Sequence, residues 1–242
     1  TNLGSIGAAL NGTYAGNVTL GVPGLVTMES DDAARFGGTN ARVNIPSHNL
    51  LNTGGPYISK TIELWFQADD VASRQVLYEQ GGGGNGLNIY IEGGLLYVGA
   101  WNTGAAPTWT TFLSTPVEAD VRYMVDLVMS GDPSGTAGYL MGYLNGQLFD
   151  QTGGVGSVPA HTGQSAIGAM INDSRFVPGT ASGDGFWFTG VIDDVSLYNL
   201  ALSAEQIGLH YYYATVPEPA SLSALGAGLL ALLRRRRAAR RH

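Results

Sequence analysis

In the stretch GVIDDVSLYN, residues Val191, Asp193, Val195 and Leu197 share one strand parity, so a carboxylate sits in phase with apolar side chains. A carboxylate in that position is costly unless a cation or several hydrogen-bond donors compensate it. Asp194 has the opposite parity and is expected at the surface. A second chemistry is suggested by AWNTGAAPTWTTF, which sets Trp101, Asn102 and Trp109 around a Gly/Pro loop. With Trp187, these rings are candidates for a sugar platform, because aromatic faces stack on pyranoses while amide oxygens take the hydroxyls. The competing reading is packing, since a sandwich tryptophan is usually core; Trp65 is assigned there. Catalytic patterns are missing. Asp193 and Asp194 are adjacent and face opposite ways, and His48, His161, His210 and His242 form no i, i+4 pair. No Gly-x-Ser-x-Gly elbow occurs, and GGGGNG at 81–86 lacks the lysine of a phosphate loop, so it reads as a hairpin tip.

Those residues must be positioned by strands. TIELWFQ alternates, with Ile62, Leu64 and Phe66 on one face and Thr61, Glu63 and Trp65 on the other. VRYMVDLVM alternates again, placing Val121, Tyr123, Val125, Leu127 and Met129 together. RQVLYEQ, GLNIYIE and GLLYVGAW are further strand-length runs, and Asn145-Gly146 supplies a type I′ turn within GYLMGYLNGQLFDQ. Many short strands with turn chemistry between them predict an antiparallel sandwich. One helix is expected, opened by Ser203 with Gln206 at capping-box spacing and turning Ile207 and Tyr211 to one side.

Charge divides the 242-residue chain in two. Six of its twelve Lys+Arg are Arg234, Arg235, Arg236, Arg237, Arg240 and Arg241; the remainder carries six positive against nineteen negative side chains, a net of −13. So acidic a body repels nucleic acid. With no cysteine there is no disulfide framework and no thiolate metal site. Before the arginines, Pro217 and Pro219 interrupt regular structure, and residues 220–233 are small or apolar apart from Ser221 and Ser223. As a helix this run spans about 21 Å, against roughly 30 Å of hydrocarbon, with arginine stems able to extend its reach. The charges orient it with Arg234 onward on the cytoplasmic side and the body outside.

Val216, Pro217, Glu218 and Pro219 (VPEP), the apolar run and the arginine cluster containing Arg234, Arg235, Arg236 and Arg237 together resemble the PEP-CTERM sorting signal. That resemblance implies export, transient anchoring in the inner membrane and cleavage by an exosortase-type enzyme, delivering the body to the cell surface, outer membrane or extracellular matrix. The body resembles a laminin-G-like, concanavalin A-type jelly roll through LNGTYAGNVTLGVPGL, AARFGGTNARVNIP, KTIELWFQ, GYLNGQLFD and, most specifically, GVIDDVSLYNLALSAEQI. It implies an all-β sandwich over 1–213 with a short closing helix. A linker at 214–219 and the hydrophobic and arginine-rich segment at 220–242 would follow. Because the chain begins almost at the family's first loop, the domain is expected to lack its first strand. The resemblance also implies a structural calcium at Asp193, aided by carbonyls of the N-terminal loop and by Asn2 where the family commonly has aspartate. The alternative is an Asp193 bonded to backbone donors. Laminarinase-like hydrolases with this fold carry Glu-x-Asp-x-(x)-Glu on one strand; that run is absent here.

The resulting expectation is a non-catalytic surface protein that binds polysaccharide of a biofilm matrix, or another cell-surface component, through its loops. A structural or adhesive protein that contacts other proteins is the alternative, and a glycoside hydrolase the third.

Overall fold

The computed structural model describes residues 3–27, 31–162, 165–177 and 179–216. Two seven-stranded antiparallel sheets pack face to face as a jelly-roll sandwich. The first sheet runs, in spatial order, β1 (Thr13–Ala15), β4 (Arg42–Ile45), β13 (Ser165–Ile167) and β6 (Gln75–Gly81). It continues through β7 (Asn85–Glu92) and β8 (Leu95–Asn102) to β9 (Trp109–Pro116). The second runs β12 (Gln147–Val155), β11 (Gly138–Leu144), β10 (Arg122–Ser130) and β5 (Ser59–Ala68), then β16 (Thr189–Tyr198), β3 (Asp32–Gly37) and β2 (Val18–Pro23). A small hairpin, β14 (Asp173–Arg175) with β15 (Thr180–Ser182), rises from the first sheet.

The interior is made by the alternation read above. Ile62, Leu64 and Phe66 of β5 and Val125, Leu127 and Met129 of β10 meet Leu87, Ile89 and Ile91 of β7 and Val98 of β8 in one buried cluster. Each such side chain contributes roughly 1.5–3 kcal/mol through removal from water. Val121, grouped with them by parity, precedes β10 and is 38% exposed. Register pairs Glu63 with Asp126 and Trp65 with Met124 on the opposite, outward face. That face is also buried, because helix α1 (Ala204–Thr215) and the loop after β2 lie over it.

The turn and cap chemistry acts as expected. Asn145 and Gly146 both have positive φ (52° and 76°), as the type I′ link between β11 and β12 requires. Ser203 accepts from the Gln206 amide and the Gln206 side chain returns to the Ser203 amide, closing a capping box. Ile207 is fully buried and Tyr211 stacks on Trp65 with ring centroids 5.8 Å apart. The helix runs two residues past the expected boundary at 213. Asn2, Pro217, Glu218, Pro219, the apolar run and the terminal arginines lie outside the described residues. Among the described residues, no helix is long and apolar enough to cross a membrane.

Candidate functional site

The Asp193 carboxylate is buried, as its parity demands, but it faces outward from the second sheet, opposite Trp65, and not into the sandwich interior. A β-bulge between Asp193 and Ser196, with Asp194 at φ 43°, inserts an extra residue there. The bulge breaks the parity read from sequence: Val195 packs into the main core while Asp193 does not. Asp194 remains toward the surface, as expected. Carboxylate oxygens of Asp31, Asp193 and Asp194 all lie within 4.8 Å of one another. Asp193 accepts hydrogen bonds from the Leu25 amide (2.7 Å) and the Asp194 amide (3.1 Å).

Both compensations considered for Asp193 are therefore compatible with the geometry. Two backbone donors partly satisfy it, and three converging carboxylates repel one another unless a cation intervenes. An all-oxygen donor set of this kind suits calcium, which takes oxygen ligands in flexible geometry. The loop between β2 and β3 supplies the Leu25 amide and the Asp31 carboxylate. Sequence reasoning missed Asp31, because Asp31-Asp32 has no periodicity to distinguish it from an ordinary turn.

The tryptophans are placed differently from a sugar platform. Trp101 is fully buried, donates to the Gly82 carbonyl at 2.8 Å and stacks on Phe112 at 6.1 Å. Trp109 packs into the main core at 7% exposure, so neither ring offers solvent a face. Asn102 is buried too, and its amide closes the loop after β8 through Ala105 and Pro107 carbonyls (2.9 and 3.2 Å) and the Ala105 amide. The glycine-rich tip reaches Trp101 through Gly82, whereas Trp109 is enclosed by the sandwich core and lies against Gly156. Trp187 is half-buried against Ala166, Ala169 and Ile171, and the Arg42 guanidinium stands 5.7 Å from its ring centroid.

Three ionisable clusters escaped sequence reasoning because they form across strands. Glu63 and Asp126 sit side by side beneath α1, and the His210 ring nitrogen Nδ1 lies 2.7 Å from Glu63 Oε2. As a carboxylate Asp126 has no donor to either oxygen. Burial first, and the adjacent Glu63 charge second, hold its carboxyl well above the usual range. A proton held on Asp126 relieves its repulsion with Glu63. On the first sheet, burial likewise raises Glu79, reinforced by Asp173 and Asp184 and opposed by the Ile171 amide. Lys60 is buried with Nζ donating to the Leu50 and Leu51 carbonyls and Asn199 Oδ1 (2.9, 2.8 and 2.7 Å); desolvation lowers it to about 7. Beside it is a cavity of only about 30 Å³. Lys60, Glu63, Glu79 and Asp126 are all buried.

An open groove among the described residues lies elsewhere. Thr110, Thr111, Phe112 and Leu113 of β9 face Asp150, Gln151 and Thr152 of β12 across a groove of about 390 Å³, where the edges of the two sheets meet. Its hydroxyls, amide and carboxylate are solvent-accessible hydrogen-bonding groups on two rigid strands.

Comparison with known proteins agrees with this architecture. A family model described as the Concanavalin A-like lectin/glucanases superfamily matches residues 36–208, and the PEP-CTERM protein-sorting motif matches residues 215–237. The sorting motif marks the chain for export and membrane-associated processing. No curated protein matches it. Among solved structures, the binding domain of Paraclostridial Mosquitocidal Protein 1 is similar at 11% identity and TM-score 0.62, covering 85% of this chain and 48% of that one. The botulinum neurotoxin serotype G binding domain is similar at 8% identity and TM-score 0.60, covering 85% and 47%. A botulinum neurotoxin DC binding domain in complex with SialylT is similar at 12% identity and TM-score 0.59, covering 85% and 46%. The chain thus spans about half the length of the solved structures it matches, and at these identities the likeness is one of fold.

Proposed function

The chain belongs to the concanavalin A-like lectin/glucanases superfamily, and from that premise we propose that it is an exported, non-catalytic surface protein that binds matrix polysaccharide. Exosortase-type cleavage of its tail would release it from the inner membrane to the cell surface or matrix. The observation that carries the binding reading is the groove between β9 and β12. Thr110, Thr111, Asp150, Gln151 and Thr152 present hydroxyl, amide and carboxylate groups along an open channel, with Phe112 beside them. Sugar hydroxyls are recognised by such groups on a preformed surface. The enclosed carboxyl groups support a non-catalytic role, because Glu63, Asp126 and Glu79 are covered and meet no cleft.

The related binding domains include one described with SialylT and one with rat synaptotagmin II, so the fold serves more than one kind of binding. A protein-contacting adhesive is accordingly the second reading. Polysaccharide pull-down with the full chain, and with D150N and T110A, separates the two. Retention abolished or weakened by the groove substitutions supports the proposal; no retention at millimolar sugar, with or without calcium, favours the adhesive. Turnover of β-glucans would overturn the non-catalytic reading.

Asp31, Asp193 and Asp194 would hold a structural calcium, fixing the loop before β3 against β16. A ligand that binds only the folded state raises its stability. Calcium at one hundred times its Kd would add about 2.7 kcal/mol, a rise in melting temperature of roughly 5–11 °C, and D31N/D194N should abolish it. An unchanged melting temperature in millimolar calcium would leave Asp193 compensated by its two amides alone.

A further inference from the structure

Helix α1 has two apolar sides. Ile207, Tyr211 and Ala214 face the second sheet. On the opposite side Leu209, Tyr212 and Tyr213 follow the i, i+3, i+4 spacing of a single stripe and are 42%, 51% and 67% exposed, and Val216, the extended C-cap residue just past the helix, is 41% exposed. The Tyr212 and Tyr213 rings meet edge to face at 5.5 Å, forming one aromatic unit. The stripe is graded along the axis: the first turn presents the acidic Glu205, and the apolar residues gather at the end from which the tail departs. The body's fold gives no reason for exposing this stripe.

We propose that this outer stripe is a membrane foot, which settles into the interfacial layer of the phospholipid bilayer that receives the tail. The inference rests on the reading that residues 220–233 enter the membrane before processing. Only residues 217–219 separate Val216 from the apolar run, and the span from 216 to 220 cannot exceed about 14 Å even when fully extended. The interfacial layer on each side of the hydrocarbon is itself about 5–7 Å thick. The end of α1 is therefore tethered at or just above the headgroups, where tyrosine and leucine partition well.

Charge argues the same way. The helix carries no lysine or arginine, and the body's net charge is strongly negative, so anionic headgroups do not attract it. The arginines lie on the far side of the apolar run in the sequence. Contact on this side must come from the apolar and aromatic groups themselves, and it should persist in uncharged lipid.

The absence of cysteine makes the test direct. Nitroxide labels are placed singly by L209C, A227C and S134C in the full chain, which is reconstituted in phosphatidylcholine vesicles. Collision rates with oxygen, which favours lipid, and with a water-soluble nickel chelate are then measured. The label at 209 should gain oxygen collisions and lose nickel collisions several-fold on reconstitution, while that at 134 stays water-exposed. Adding Tyr212→Ser and Tyr213→Ser, both at the surface, should return position 209 to water. If position 227 is in lipid and 209 remains wet, the foot is refuted while the tail reading stands. A wet label at 227 refutes both. Shielding of 209 from both quenchers means that protein covers the stripe, in a second copy or another chain, and refutes the bilayer as occupant. No effect of the double serine variant also refutes the proposal.

Discussion

The two sheets have outer faces that are covered in opposite ways. The first sheet is overlaid by the chain between β13 and β16, where Phe176 and Phe186 crowd Tyr90 and the Arg74 guanidinium, 4.7 and 5.1 Å from their ring centroids, binds Glu92 at 2.8 Å. That cover is an internal segment, fixed in the sheets at both ends. The second sheet is overlaid by α1, held through Ile207, the Tyr211–Trp65 stack and the His210–Glu63 pair. Its cover is the last described element, held at its far end by the Thr27 amide donating to the Ala214 carbonyl at 3.2 Å, and it leads directly into the tail. Each conceals a raised carboxyl group, Glu79 under one and Asp126 under the other. The difference lies in what flanks each cover: strands on both sides of the loop but, among the described residues, on only one side of the helix, so the helix can detach as a local unit.

The largest effect should come from removing the aromatic contact on each side. W65A and F176A each create a cavity expected to cost about 3–5 kcal/mol in denaturant unfolding. Only W65A should also raise hydrogen exchange throughout α1. Equal exchange changes in α1 for both variants would erase the distinction between the covers.

Next comes pH. The folded-state pKa of Asp126 is raised, so the folded protein binds more protons than the unfolded chain above the usual carboxylate range. Its contribution is greatest below about pH 4 and is lost as pH rises toward the folded value, by about 1.4 kcal/mol for each unit of the shift. D126N should therefore raise the melting temperature at pH 7 and flatten the profile between pH 4 and 7. E79Q should act in the same direction, because burial dominates there as well. A profile unchanged by D126N would show that the Asp126–Glu63 proton is not a stability determinant.

Smaller effects sharpen the same contrast. H210A removes one anchor of the helix and should cost about 1–2 kcal/mol, read as faster exchange in α1 with little change in the sandwich interior. R74K keeps the charge over the first sheet but loses the bidentate and planar contacts. About 0.5–1 kcal/mol of global stability is expected to go, with α1 exchange unaffected.

The sandwich itself was legible because alternation is local. Ile62, Leu64 and Phe66 announce a face through period two alone, and Asn145-Gly146 and Ser203 with Gln206 specify a turn and a cap within two to four residues. The tail was legible for the same reason, since its three parts lie in order along the chain. Trp101, Asn102 and Trp109 were not, because exposure depends on what packs against a strand end: Gly82 against Trp101, the loop that Asn102 itself closes, and the core and Gly156 around Trp109.

What the amino-acid sequence determined unaided was therefore periodic or contiguous: the strands and their faces, the capped helix, the acidic body and the basic terminus. Tertiary structure alone decided which carboxylates meet. A single inserted residue at the Asp193–Ser196 bulge sets Asp194 near Asp31, 163 positions away, and cross-strand register sets Glu63 beside Asp126 under a helix that begins 78 residues after Asp126. The physical reason is that side-chain parity is fixed by the backbone of one strand, whereas proximity between strands is fixed by register, bulges and covers, which are properties of the assembled sheets.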